Sequence, residues 1–194
     1  MEATLSKRDK IVEAALSLFA ERGYDGTTVP MIADKAEVGT GTIYRYFENK
    51  EALVNALFQD CVKRFNDVVK RDFPDSGSVR EQFQHVFHGM VRFAKENIHG
   101  FYFVDTHSNA RYLDPESRES FRQLMDFFHA YAARGIQQGM IRPLQADVLI
   151  AIVFGAFTKV FTLIRAGKLT ETPEMLRQIE ESCWDAVSVH ANKE

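Results

Sequence analysis

From Asp147 to Arg165 the chain carries apolar side chains all the way round a helix: Val148, Leu149, Ile150, Ile152, Val153, Phe154, Phe157, Val160, Phe161, Leu163 and Ile164. A helix without a wet face must be covered on every side. A chain of 194 residues has little material for that task, so one covering surface is expected to be a second copy of the same chain. The neighbouring segment suits the same interface. Thr172 and Pro173 open a helix with Met175, Leu176, Ile179, Cys183, Ala186 and Val187 along one face, and two such helices from each subunit can form a four-helix contact. An intrachain core helix is the alternative use of the same residues. The longest uncharged apolar stretch, Val148 to Phe157, is about half a bilayer span and is soon followed by Lys159 and Arg165, so no membrane partner is expected.

Every other strong signal is helical as well. Ser6-Lys7-Arg8-Asp9 has the form of a capping box, after which Ile11, Ala15, Leu18 and Phe19 recur at three-to-four spacing until Gly23. Thr28 can cap a short second helix, with Pro30 in its first turn and Ile32, Ala33 and Ala36 facing inward. Val38-Gly39-Thr40 is a tight break. A third short helix is expected from Thr40 to Tyr46, and Asn49 caps a long fourth one carrying Leu53, Leu57, Cys61, Phe65 and Val68. Pro74-Asp75-Ser76-Gly77-Ser78 reads as a loop. Beyond it Val79, Phe83, Val86, Phe87, Met90 and Ala94 form one stripe, with His85, His88 and Arg92 on the solvated face. Asp114-Pro115 starts a further helix with Phe121, Leu124, Met125, Phe128 and Ala132 inward. Nothing alternates like a strand, and the fold class is all-α.

Composition limits the functions available. Cys61 and Cys183 lie far apart with no histidine at zinc-finger spacing, which suits reduced thiols in a cytoplasmic protein rather than a disulfide or a metal site. The start, MEATLSKRDK, lacks the apolar core of a signal peptide. No nucleophile, paired carboxylate or metal-ligand spacing stands out, so neither catalysis nor a cofactor is expected. The net charge of −3 is not the basic balance of a general nucleic-acid binder, and residues 1–50 hold seven Lys/Arg against eight Asp/Glu. Any phosphate-facing surface must come from local placement. Lys7, Arg8 and Lys10 cluster at the start of the first helix, and Arg45 and Lys50 flank the end of the third.

The stretch Thr28 to Phe47 has the form of a helix-turn-helix. Two short helices packed nearly at right angles need a small residue in the first and branched apolar residues after the turn, and Ala33, Val38 and Ile43 fall in those places. Thr40, Gly41, Thr42, Tyr44, Arg45 and Tyr46 are then offered outward. Glycine permits close backbone approach, while threonine and tyrosine hydroxyls can bond phosphates or base edges in a major groove. A helical hairpin in an ordinary bundle fits the spacing equally well.

Thr27-Thr28, Ile32-Ala33, Val38 and the string Gly41-Thr42-Ile43-Tyr44-Arg45-Tyr46-Phe47-Glu48-Asn49-Lys50-Glu51-Ala52-Leu53 resemble the amino-terminal signature of the tetracycline-repressor (TetR) family of transcription regulators. The resemblance covers roughly residues 7–60; the remainder matches in length and helical character. It implies a three-helix DNA-binding domain, residues 1–48, and a second part, 49–194, made of a connecting helix and a helical effector-binding and dimerisation domain. It further implies that Thr28, Thr40, Thr42, Tyr44, Tyr46 and Lys50 contact operator DNA, Thr28 and Lys50 gripping phosphate. Gly41 and Arg45 belong to the same face. Two positions depart from the pattern: Glu37 stands where the family usually has glycine, which predicts a left-handed backbone under strain, and Val29-Pro30 replaces a polar pair.

Twelve of the sixteen phenylalanines lie after Asp72, a store that can pack solid or enclose an apolar pocket. The resemblance implies a pocket for a small, largely apolar effector, which acts through the long helix Asn49 to Asp72, in a homodimeric repressor. Candidate pocket residues are Phe87, Phe103, His107, Phe128, His129, Phe157 and Thr158. Two other readings use the same residues: a helical enzyme or small-molecule carrier without DNA binding, and a homodimeric interaction module that has lost DNA binding.

Overall fold

Ser6 and Asp9 start the first helix by reciprocal bonding: the Asp9 amide donates to the Ser6 hydroxyl at 3.2 Å, and the Asp9 carboxylate accepts from the Ser6 amide at 3.2 Å. The computed structural model describes residues 6–190, so Met1–Leu5 of the expected leaderless start lie outside the described residues. Helix α1 spans Lys7–Arg22 and stops at Gly23, whose φ of 69° is open to glycine at no steric cost. Ile11, Ala15, Leu18 and Phe19 are buried, as their spacing requires. Thr28 caps α2 (Val29–Lys35), its hydroxyl accepting from the Met31 amide at 3.4 Å. Helix α3 (Thr40–Tyr44) ends two residues earlier than expected, because the Tyr46 and Phe47 amides both turn back onto the Ile43 carbonyl at 3.0 Å. The Asn49 side chain then caps α4 (Lys50–Lys70) through the Ala52 amide at 2.8 Å.

Ser78 and Glu81 form a second reciprocal cap at the head of α5 (Val79–Glu96), whose expected stripe is buried throughout. The next helix, α6 (Ile98–His107), was not legible from periodicity; Asn97 caps it by accepting from the Gly100 amide at 3.0 Å. Asp114 caps α7 (Pro115–Gln137) through the Ser117 amide at 2.7 Å. Helices α8 (Ala146–Arg165) and α9 (Pro173–Val187) pack on one another, Thr172 capping the latter. No strand forms among the described residues; the only extended pairing is an isolated bridge between Ile141 and Ser188.

The chain divides into two compact units. One gathers residues through Asn66 with Phe93–Arg122, and the other Asp67–Arg92 with residues from Gln123 onward. In the first, α6 lies against α1, and Phe103 is fully buried with its ring 6.0 Å from that of Phe19. Buried Asn55 on α4 is saturated: its amide donates to the carbonyls of Glu51 and Tyr112, each at 2.9 Å, and its oxygen accepts from the Asp114 amide and the Ser117 hydroxyl. In the second, Glu180 of α9 is buried in a bidentate pair with Arg80 of α5, whose guanidinium lies over the rings of Phe83 and Trp184. His85 departs from the expected solvated face. Its ring meets the Val69 carbonyl at 3.0 Å and stands edge-on to Phe73, because the turn after α4 folds back over it.

Helix α8 also differs from the sequence reading in one respect. By length and apolar composition alone it can cross a bilayer, since Thr158, Lys159 and Thr162 interrupt the apolar run without breaking the helix. Leu149, Phe157 and Phe161 are buried within the chain, while Val148 is 44% exposed and Ala151, Gly155 and Ala156 also face out. Both cysteines are free and buried, and burial raises their thiol pKa values, to about 12 for Cys61 and about 11 for Cys183.

The turn between α2 and α3 carries the strain expected at Glu37, which has φ 54°. Its cause is a helix stop that requires a left-handed residue: the Val38 amide reaches back to the Ala33 carbonyl at 3.0 Å and the Glu37 amide to Asp34 at 3.2 Å. Glycine meets this geometry without the Cβ penalty, so Glu37→Gly should raise stability by several tenths to about 1 kcal/mol after the entropy cost of glycine. Urea denaturation checks this, and a clear loss of stability would assign the strain elsewhere.

Candidate nucleic-acid interface

The recognition segment is held from behind and presented in front. Ile32, Ala33, Ala36 and Ile43 are buried between α2 and α3, Val38 is half-buried, and Phe47 closes the segment with the Arg8 guanidinium 5.7 Å from its ring. That packing leaves Thr40, Gly41, Tyr44, Arg45 and Tyr46 exposed on one side, with Thr42 half-buried; Tyr44 is 53% and Tyr46 47% exposed. Two exposed tyrosine rings give this face apolar area and hydroxyl groups together. Gly41 adds to it. A Cβ built there meets nothing within 4 Å, so no contact inside the chain requires a glycine at that position.

Thr28 is exposed beside this face, and its oxygen caps α2 while its O–H remains a donor. Lys50 is placed differently from a lone phosphate-gripping lysine. Its ammonium donates to the carbonyls of Tyr24 and Thr27, both at 3.0 Å, and sits 3.8 Å from the centroid of the Tyr24 ring. Two of its three N–H bonds are thus spent on the turn before α2, leaving one for an external acceptor. Sequence reasoning missed this clamp, although an aromatic residue at position 24 was its available signal. The exposed cations nearby are Lys7 and Arg8; the Asp9 carboxyl is held below its ordinary range by the Ser6 hydroxyl, so the acid in that cluster stays charged.

The expected effector residues are distributed over both units. Phe103 and His107 belong to the first unit: the His107 ring lies 4.4 Å from Phe103 and its Nδ1 meets the Phe103 carbonyl at 2.9 Å. Burial lowers the His107 pKa, with that carbonyl opposing, so the ring stays neutral. Both side chains are buried, because α6 packs its aromatic side chains onto α1. Phe87, Phe128, His129, Phe157 and Thr158 belong to the second unit. There Phe87 stands edge-on to Phe157 at 5.5 Å and Phe157 stacks on Phe161 at 4.3 Å. Phe128 is half-buried 5.4 Å from Phe127, and the His129 Nε2 meets Asp147 at 2.7 Å, linking α7 to α8. The Thr158 hydroxyl is buried without a hydrogen-bond partner among the described residues.

Two open grooves lie elsewhere, and none of the expected effector residues lines either. One, of about 610 Å³ in the first unit, runs between α1, the Glu37 turn and the start of α6, and includes Lys10, Glu13, Lys35 and Asn97. The other, of about 300 Å³, separates α8 from α9 and is lined by Ile152, Ala156, Val160, Met175, Ile179 and Cys183. No group of three or more His, Cys, Asp or Glu among the described residues is arranged to hold a metal ion.

Comparison with known proteins places this geometry in a family. Residues 11–57 match the model of bacterial regulatory proteins of the tetR family, and residues 58–189 match the tetracyclin repressor-like C-terminal domain. The fatty acid metabolism regulator protein of Bacillus subtilis is 27% identical over 170 residues, covering 84% of this chain and 85% of that protein. The biofilm operon negative transcriptional regulator IcaR of Staphylococcus epidermidis is 32% identical over 80 residues, 41% of this chain and 43% of its own length. Among solved structures, a TetR family transcription regulator from Marinobacter aquaeolei superposes with a TM-score of 0.82 at 24% identity, covering 95% of this chain and 96% of that one. The transcriptional regulator FadR from Bacillus subtilis, solved in complex with stearoyl-CoA, superposes with a TM-score of 0.68 at 21% identity, covering 94% and 100%. The chain belongs to the TetR family of bacterial transcription regulators.

Proposed function

We propose that the protein is a cytoplasmic homodimeric repressor, not an enzyme, that docks residues 1–48 of each subunit on operator DNA and is released by a small, largely apolar effector held within residues 49–194. The observation that carries the DNA contact is Gly41. A glycine inside a helix costs roughly 0.5–1 kcal/mol relative to alanine. With nothing in the chain to require it, it fits a surface that another backbone approaches closely. In this reading Thr42 and Tyr44 meet base edges in the major groove, while Thr28, Thr40, Arg45, Tyr46 and the remaining Lys50 N–H hold phosphates. A carrier or enzyme without DNA binding gives no reason for Gly41 or for two exposed tyrosines.

Dimerisation is supported by the open apolar face of α8 and α9. Val148, Ile152, Ala156 and Val160 recur every four residues along α8, beside Met175 and Ile179 of α9 in the groove between them. Asp147, Lys159 and Arg165 are exposed on the same helix, which suits a protein interface better than lipid. Two recognition segments about one DNA turn apart, roughly 34–36 Å, then read two half-sites. The effector reading rests on the second unit's aromatic residues; neither groove adjoins them, so a ligand there must part the packed side chains, and the buried Thr158 hydroxyl is then a polar group it can meet. The stearoyl-CoA bound by the structural neighbour and the name of the Bacillus subtilis relative make fatty acids and acyl-CoA thioesters the first compounds to screen.

Gly41→Ala is expected to keep or slightly raise thermal stability while weakening binding to an operator selected from random DNA about tenfold or more, a change of about 1.4 kcal/mol. Fluorescence anisotropy measures it, and full affinity in a stable variant removes Gly41 from the interface. Phe157 is fully buried within its own chain, whereas Ala156 is exposed in the groove, so the dimer is tested at Ala156. Ala156→Asp places an uncompensated carboxylate in the apolar groove and should yield folded monomers in sedimentation with loss of operator binding; a folded wild-type monomer at micromolar concentration contradicts the proposal. Thr158→Val removes a buried unpartnered hydroxyl at nearly constant shape, so it should raise stability by about 1–3 kcal/mol and lower effector affinity. An unchanged melting temperature would mean that the hydroxyl is already satisfied.

A further inference from the structure

The loop between α6 and α7 reaches the turn that starts α2. Tyr112, in that loop, stacks its ring on Tyr24 with centroids 4.0 Å apart and planes at 23°. The Lys50 ammonium lies over the same Tyr24 ring at 3.8 Å. A ring and an ammonium at these distances cannot share one face, so Tyr24 is held between them. The Tyr112 backbone is fixed from the other direction, where its carbonyl accepts from the Asn55 amide at 2.9 Å. Asn55 and Lys50 both stand on α4, and all four residues lie in the first unit. Burial pushes the Tyr112 phenol up to about 12, with Asp25 and Tyr24 adding, so the ring stays neutral. Lys50 in turn bonds the carbonyls of Tyr24 and Thr27, the latter next to the residue that caps α2.

We propose that Tyr112 is a positioning residue for DNA binding: it buttresses Tyr24 beneath the Lys50 ammonium and so fixes the turn from which Thr28 starts α2. The inference rests on the operator-binding reading above, and it deepens that reading by assigning a role to a residue far along the chain from the recognition segment. Loss of the Tyr112 ring frees one face of Tyr24. The cation–π contact, the two carbonyl bonds and the parallel Phe19 ring 6.1 Å away then hold Tyr24 without its nearest stacking partner, and the start of α2 gains freedom that must be lost again on docking. Tyr112 touches no DNA in this arrangement; it acts through Tyr24 and Lys50. Any ligand or substitution that shifts the α6–α7 loop is felt at the same turn.

The test compares Tyr112→Leu with Tyr112→Phe in the full-length protein, alone and in a Lys50→Ala background. Two readouts are used: affinity for a selected operator, and amide exchange in the DNA-free protein. Tyr112→Leu should weaken operator binding about tenfold and speed exchange of the Met31 and Ile32 amides, which bond the Thr28 hydroxyl and carbonyl, while the Leu176 amide in α9 is unchanged. Tyr112→Phe retains the stack and should stay within about twofold of wild type. In the Lys50→Ala background, Tyr112→Leu should cost less than about twofold more, because both act on one clamp. Unchanged affinity and exchange in a folded Tyr112→Leu protein overturns the assignment, as does full additivity with Lys50→Ala or uniform acceleration that includes α9. If wild type selects no DNA at all, the operator reading falls separately, and exchange at Met31 and Ile32 then decides whether Tyr112 holds the turn.

Discussion

A single buried amide sets much of the first unit. Asn55 has two donors and two acceptor sites, and each is met by a protein group: the carbonyls of Glu51 and Tyr112, the Asp114 amide and the Ser117 hydroxyl. In a site closed to water, leaving any of these unpaired costs on the order of 1–3 kcal/mol, so the four partners have little freedom to move independently. Gln59, one turn further along α4, reaches Asp114 and Ser117 as well. The start of α7 is therefore registered on α4 by polar geometry, where apolar contact alone tolerates sliding. From that registration follow the position of the Tyr112 ring, the stack on Tyr24 and the direction in which Lys50 points.

Helix starts and apolar stripes were legible in the sequence because they depend on neighbours along the chain. Ser6, Thr28, Asn49, Asp114 and Thr172 all cap the helices they announce. The left-handed Glu37 was legible through the family resemblance, which puts a glycine at that turn position. Contacts between distant segments were not. Nothing local to His85 announces the Val69 carbonyl, nor does anything local to Lys50 announce the two carbonyls it closes. The aromatic residues after Asp72 looked like one store, yet α6 delivers Phe101 and Phe103 to the first unit while α5 and α8 keep Phe87 and Phe157 in the second. Composition counts rings without saying which neighbour each will find.

The two units solve different problems with different materials. Around the recognition segment, rings and ammonium groups are held in fixed stacks, and the exposed face is left to hydroxyls and a bare backbone. Around α8 and α9, buried Glu180 pairs with half-buried Arg80, whose guanidinium lies over two rings, and the pair anchors α9 to α5. One side of that helix pair remains apolar and open. A buried pair of this kind adds little net stability against an apolar substitute but penalises misplacement strongly, since a lone buried charge is costly. In the proposed dimer it suits a surface whose register matters more than its strength.

The internal use of Lys50 has a bearing on life among a whole chromosome. Non-specific attachment to DNA is driven by the counterions released as cations neutralise phosphates; Lys50 keeps its full charge, because its two internal acceptors are neutral carbonyls, and one N–H remains for a phosphate. The first fifty residues hold no excess of cations around it. Sparse positive charge, which first argues against a DNA-binding role, thereby leaves matched contacts to carry more of the discrimination between sites.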